Sequence, residues 1–253
     1  METLLYYARA VHSTMLVALS TITSDQERPI KSTMEKVDQI LDYSASQEEE
    51  NLTHHASNMV LSVHINASYL SEPKAISRAG GHFFLSRDCD SLPNTVDVFK
   101  ISQIIKSVMT SAYKAEIGPM YINARDSVPT RKTMIEMGHY YPQTLMQTEN
   151  LAANSVVANN VQPIRTDEMY MRFHWIRFWD AQGQSHCYWM PVTMNFANYW
   201  TNRPPASHHN NMRPVFLTSS RHTEDLHRLN GQASTKVALA QVIDDNTTAT
   251  RVC

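Results

Sequence analysis

The chain has 253 residues, with 22 Lys and Arg against 24 Asp and Glu and a formal net charge of -2. That length supplies one sizeable core, or one domain with attachments. The near balance of charge excludes a chain that binds nucleic acid through its overall charge, and leaves only a local basic face for that purpose. Cys89, Cys187 and Cys253 lie far apart with no CxxC pair. This argues against a structural zinc site or a disulfide framework, fits a reducing compartment and predicts an intracellular protein.

In chain order, METLLYYARAVHSTMLVALS is apolar but carries Arg9 and His12. It is too interrupted to cross a bilayer, which needs about 20 predominantly apolar residues. Leu4, Leu5, Ala8, Val11, Met15, Ala18, Leu19 and Ile22 recur at steps of three and four and predict a buried helix over 3–24. STMEKVDQILDYSAS predicts a second helix, with Ser32 and Glu35 as a capping box and Met34, Val37, Ile40 and Leu41 as its apolar face. SQEEENLTHH reads as a polar linker.

Strands are predicted next. In VHINASYLSE, Val63, Ile65 and Ala67 share one face and His64, Asn66 and Ser68 the other. AGGHFFLSR gives a second strand, with Gly80-Gly81 as a bend or turn before it. VDVFKISQIIKSV gives a third, and short connections make the three antiparallel. Residues 107–128 have a helical pattern that Gly118-Pro119 interrupts. QTLMQTEN is a fourth strand and LAANSVVANN a short helix. TDEMYMRFHWIRFWD is a helix capped by Thr166, with Met169, Phe173 and Ile176 on one face. SHCYWMPV is a fifth strand closed by Pro191, and TMNFANYWTNR a last helix stopped by Pro204-Pro205. The segment 204–253 is polar and reads as a loosely ordered tail. The order predicts an α/β fold, a mixed sheet covered by helices.

Sheets of this class place their chemistry where strands end beside helix starts. Four such places hold Asn66, Glu116, Glu149 and Asn198: two acids and two amides of acids.

The stretches HINASYLSEPKAISRAGGHFFLS, SAYKAEIGPMYINAR, QTENLAANSVV, RTDEMYMRFHWIR and ANYWT, in this order and at these distances, resemble the ribonuclease H domain of copia-type LTR retrotransposon polyproteins. LLYYARAVHSTMLVALS resembles the end of the preceding reverse transcriptase region. The likeness spans about residues 3–218. It implies a helical segment over 1–48, with the reverse transcriptase region as a possible partner, and a ribonuclease H-like domain over 52–203 with a five-stranded mixed sheet. It also implies two-metal hydrolysis of the RNA strand of an RNA:DNA hybrid.

In that family four carboxylates hold two Mg2+ ions about 4 Å apart, and hard Mg2+ prefers anionic oxygen. Here Asn66 stands where the family has its first Asp, Glu116 matches the helix Glu, Glu149 precedes Asn150 where the family has Asp before Asn, and Asn198 replaces the last Asp. The resemblance therefore implies catalytic positions at Asn66, Glu116, Glu149 and Asn198, with residual metal ligands Glu116 and Glu149. Two carboxylates do not balance two divalent ions, so weak Mg2+ binding and an inactive or severely impaired nuclease are expected. Asn150, Arg165, Arg172 and Arg177 are the candidate contacts to a hybrid, although a solvated helix face is the simpler reading of the arginines.

Other signals carry less. His54-His55 and His208-His209 lack zinc-site spacing and read as surface residues. Trp175, Trp179, Trp189 and Trp200 read as packing residues. Sequons at Asn51, Asn66 and Asn246 read as chance.

Overall fold

β1 (Val60–Glu72) forms because its alternation serves two different faces. Leu61, Val63 and Ile65 are fully buried in one apolar cluster, while His64 and Asn66 are buried on the opposite face. This is a computed structural model; it describes residues 2–26, 29–47, 50–54, 56–72, 75–86, 97–106, 109, 112–139, 142–157 and 167–219.

β1 pairs antiparallel with β2 (Ile76–Ser86), in a register that sets Asn66 opposite Gly80. β2 pairs antiparallel with β3 (Phe99–Ile105). On its other edge β1 pairs in parallel with β4 (Thr144–Thr148), ending at Ile65 opposite Thr148, and β4 pairs in parallel with β5 (Ser185–Trp189). The spatial order is β3-β2-β1-β4-β5. This is the five-stranded mixed sheet expected from the sequence, and the fold is ribonuclease H-like.

The long helix α4 (Ala112–Glu136) and α6 (Asp167–Ala181) cover one face, and α5 (Leu151–Val157) follows β4. Ile117 and Met120 of α4 and Ile176 of α6 join Val63, Ile65, Phe83 and Met146 in the main core. The other face is covered by the single turn α7 (Asn198–Thr201) and by α8 (Ala206–Phe216). There Trp200 and Phe216 are fully buried against His82, and His64 stacks on Phe196. Burial keeps both histidines neutral, pushing His64 down to about 3 and His82 to about 4.

Gly80-Gly81 is not a turn. It lies in mid-strand, where both faces are approached closely. A Cβ on Gly80 would meet Thr201 Cγ2 at 2.5 Å and the Ala197 carbonyl at 2.7 Å, and one on Gly81 would overlap Asn123 Oδ1. The pair thus lets α7 seat on one face and α4 on the other.

The predicted helix over 3–24 is two helices, α1 (Glu2–Ala10) and α2 (Leu16–Ser24), joined by a 3-10 turn at Ser13–Met15. Both feed one cluster, Ala8, Met15, Leu16, Leu19 and Ile22, so the apolar spacing runs unbroken across the joint. α3 (Lys31–Ser46) starts before Ser32, and Thr33 Oγ1, rather than the Ser32–Glu35 box, accepts the Ile30 N–H at 3.3 Å. Of its predicted apolar face Ile40 is buried, while Met34 and Leu41 are exposed.

The helical segment is fastened to the sheet by Arg78. This fully buried β2 side chain pairs with Glu72 at 2.8 Å and donates to Ser20 and Thr21 of α2 and Ser102 of β3. α4 runs through Gly118-Pro119 without a break. The predicted last helix is a 3-10 turn (Val192–Met194) followed by α7, and α8 occupies the start of the predicted tail. A two-residue pairing of Glu50–Asn51 with Thr218–Ser219 closes this part of the chain. Thr166, Arg165, Cys89, Cys253 and residues 220–253 lie outside the described residues. Among the described residues no helix is long and apolar enough to cross a membrane.

Candidate functional site

The four singled-out positions arrive from four elements. Asn66 lies on β1, one residue past the end of its pairing with β4, and Glu149 directly follows β4, so the two strands deliver them side by side. Glu116 sits in the first part of α4, and Asn198 opens α7.

Asn66 and Asn198 touch. The buried Asn66 Nδ2 donates to Asn198 Oδ1 at 3.0 Å and to Thr201 Oγ1 at 3.2 Å. Asn66 Oδ1 accepts the Ala67 N–H at 2.6 Å. Asn198 Oδ1 accepts a second bond, from Asn202 Nδ2 at 3.0 Å. Only an amide at 66 makes this set of bonds, because a carboxylate has no hydrogen to give.

Glu116 and Glu149 form the other half. Burial, then the nearby Glu149 charge, push Glu116 up to about 8, against a lowering hydrogen bond from the Asn150 side chain. Burial also raises Glu149, opposed by a hydrogen bond from the Asn195 side chain. Each glutamate keeps one buried Oε2 without a hydrogen-bond partner. Both carboxyls are thus drawn toward the protonated form when no cation is beside them.

Asn195 joins the halves and was not singled out in the sequence. Its Nδ2 donates to the Ile65 carbonyl at 2.8 Å, next to Asn66, and its Oδ1 accepts the Ala197 N–H at 3.0 Å. An Asn two residues before an N–H that needs a partner is a turn signal, and the spacing Asn195-Phe196-Ala197-Asn198 carries it. Thr201 was also missed; it follows Tyr199 and Trp200 in a single helix turn and carries no spacing signal of its own.

The implied two-metal centre does not fit these residues. Among the described residues no group of three or more His, Cys, Asp or Glu side chains is placed to hold a metal. The oxygens of Asn66, Asn195 and Asn198 already accept protein N–H groups. Four positive charges would meet two carboxyl groups, Glu116 and Glu149.

Of the candidate hybrid contacts, Asn150 lies at the site, bonded to Glu116. Arg172 lies over the Tyr121 ring at 5.5 Å, and Arg177 over the Phe173 ring at 5.2 Å. Two other readings are corrected. His209 is not a surface residue: it is half-buried and bonded to Tyr43 and Tyr199. Trp189 is 43% exposed and donates to the Glu149 carbonyl at 2.9 Å.

No family model and no curated protein matches the chain. Among solved structures, it is similar to the N-terminal ribonuclease H domain of Rv2228c from Mycobacterium tuberculosis, solved as a fusion with maltose-binding protein, at 12% identity and TM-score 0.42, covering 57% of this chain and 91% of that one. LC11 ribonuclease H1 in complex with an RNA/DNA hybrid gives 12% identity and TM-score 0.42, over 56% and 94% of the two chains. LC11 ribonuclease H1 isolated from compost by a metagenomic approach gives 11% identity and TM-score 0.41, over 57% and 94%. The fold assignment rests on the strand order and directions of this chain itself.

Proposed function

We propose that this chain is a degenerate ribonuclease H-like domain of a copia-type retrotransposon polyprotein, inactive or severely impaired as a hybrid nuclease. The observation that carries this reading is the Asn66–Asn198 hydrogen bond. Two side chains that would each have to present a charged oxygen to a metal instead bind each other. The copia-type origin rests on the resemblance of the sequence motifs. The partner of any function that remains is an RNA:DNA hybrid, the class that the resemblance implies. Arg172 and Arg177 stack on aromatic rings, which favours the helix-face reading of the α6 arginines over a phosphate-binding stripe.

The test is hydrolysis of a labelled RNA:DNA hybrid in Mg2+ or Mn2+. The expected outcome is no cleavage above that of a Glu116→Gln variant. Strong cleavage by the parent chain that Glu116→Gln abolishes would overturn the reading.

A further inference from the structure

A cleft of about 410 Å³ lies between α2 and α3 on one side and the α7–α8 turn on the other. Its wall is apolar, with Val17, Ile22 and Ile40 all buried. One end is closed by a chain of hydrogen bonds. Thr14 Oγ1 bonds the Tyr43 hydroxyl at 3.0 Å, that hydroxyl bonds His209 Nε2 at 3.2 Å, and His209 Nδ1 bonds the Tyr199 hydroxyl at 2.7 Å. Both ring nitrogens of His209 are thus engaged, and the residue ties α3, α7 and α8 into one back wall.

The rim is cationic. Lys36 and the exposed Arg203 both line the cleft. Lys36 pairs with Asp25 at 3.3 Å, whereas Arg203 makes no hydrogen bond or ion pair among the described residues. Burial, and after it the positive charge of nearby Arg213, disfavour protonation of His209. With Lys36 already offset by Asp25, Arg203 is the uncompensated charge among the described lining residues, and it favours an anionic head group over a cationic one. The size and the mixture of an apolar wall with a few placed polar groups match small-ligand sites, roughly 300–1,000 Å³.

We propose that this cleft binds a small amphipathic anion, with its apolar body against Val17, Ile22 and Ile40 and its carboxylate or phosphate at Arg203 and Lys36. The site is separate from Asn66 and Glu116 and does not depend on the nuclease reading.

The test is calorimetric titration of the full chain with decanoate, and with decyltrimethylammonium as the matched cation. Decanoate is expected to bind saturably, one per chain, at least about 10-fold more tightly than the ammonium. Arg203→Glu should weaken decanoate by at least about 10-fold. Ala18→Trp should abolish binding; Ala18 is exposed within the cleft, so the larger ring fills the groove rather than a core. Thermal melts confirm that each variant folds, and Gln39→Trp, at another exposed lining position, serves if Ala18→Trp does not. Equal affinity for the two amphiphiles, undiminished binding in the folded variants, or no saturable binding would overturn the proposal. So would a dimer that decanoate fails to dissociate and Ala18→Trp disperses, which would assign the cleft to a second copy.

Discussion

The two halves of the candidate site answer the same problem in opposite ways. On the β1–α7 side, Asn66, Asn198, Thr201 and Asn202 satisfy one another: each donor on Asn66 has an acceptor, and the Asn198 oxygen takes two N–H groups. On the α4–β4 side, Glu116 and Glu149 each keep a buried oxygen with no partner, and both carboxyls are driven toward the protonated form. Amides bring donors as well as acceptors, so they close a network without a cation. Carboxyls bring acceptors alone and depend on something positive. The amide half is thus closed on itself, while the carboxyl half keeps like charges together with no cation beside them among the described residues.

The sharpest way to break this comparison is to restore charge to the amide half. Asn66→Asp removes the donors to Asn198 and Thr201 and sets a buried carboxylate against the Asn198 oxygen, close to Glu149. A buried charge left without a partner costs about 3–5 kcal/mol. We expect Asn66→Asp to destabilise the chain by that order in urea titrations at pH 7. An unchanged midpoint would show that the amide clasp contributes nothing. The triple change Asn66→Asp, Asn198→Asp and Glu149→Asp should go further and make stability respond to Mg2+. The folded state then binds an ion that the unfolded chain does not, and the melting temperature should rise with added MgCl2. The parent should show no such rise. Any hybrid cleavage should appear in the triple change well before it appears in the single ones, because such groups act as a unit.

The carboxyl half is tested by pH. Glu116 sits at about 8 in the folded chain against an ordinary value of 4.5. Between those values the unfolded chain is ionised while the folded chain keeps its proton. Its contribution to stability is therefore complete below about pH 4.5 and lost as pH rises toward 8, with a slope of up to about 1.4 kcal/mol per pH unit. Glu116→Gln removes the titration and supplies donors beside Glu149. Its urea midpoint should exceed the parent's at pH 8 and converge with it below pH 4.5. Parallel pH profiles for the two proteins would show that Glu116 is not held protonated.

The same contrast explains what was legible in the sequence. Period-two alternation along β1 separated the α4 face from the α7 face and put Asn66 on the latter, because each face is buried against different chemistry; the expected strand end at Asn66 is instead the end of pairing with β4, and β1 itself runs on to Glu72. The antiparallel pairing of the first three strands followed from short connections, whereas the parallel placement of β4 and β5 came from the strand–helix order and the family resemblance. Gly80-Gly81 misled, because a glycine pair marks a turn or a close approach equally well, and only the seating of Thr201 and Asn123 decides between them. α8 was hidden because its His- and Asn-rich sequence buries Phe216 as its one core residue. The joint at 11–15 was hidden because both flanking helices face one cluster. The amide clasp was not legible at all. The sequence supplied amides at 66 and 198, but their bond depends on tertiary placement across 132 positions.

The smallest expected effect concerns the support of the carboxyl half. Glu116 is carried by α4, and three residues later Pro119 stands inside that helix, beyond its first turn. It has no N–H to offer the Ala115 carbonyl, and an interior proline costs about 3 kcal/mol relative to alanine. The proline is also buried, and its carbonyl accepts Asn123 Nδ2 at 2.9 Å, the side chain that fills the space above Gly81. Pro119→Ala keeps that carbonyl and restores the missing helix bond. It gives up about two buried ring carbons, worth roughly 0.8 kcal/mol each. The net expectation is a gain of about 1 kcal/mol, read as a higher urea midpoint with an unchanged slope. The gain should leave the amide half untouched, so combining Pro119→Ala with Asn66→Asp should give the sum of the two effects. An unchanged or lowered midpoint would mean that α4 has already adapted to its proline. Marked non-additivity would mean that the two halves communicate through β1 and β2, and that the site responds as one unit rather than two.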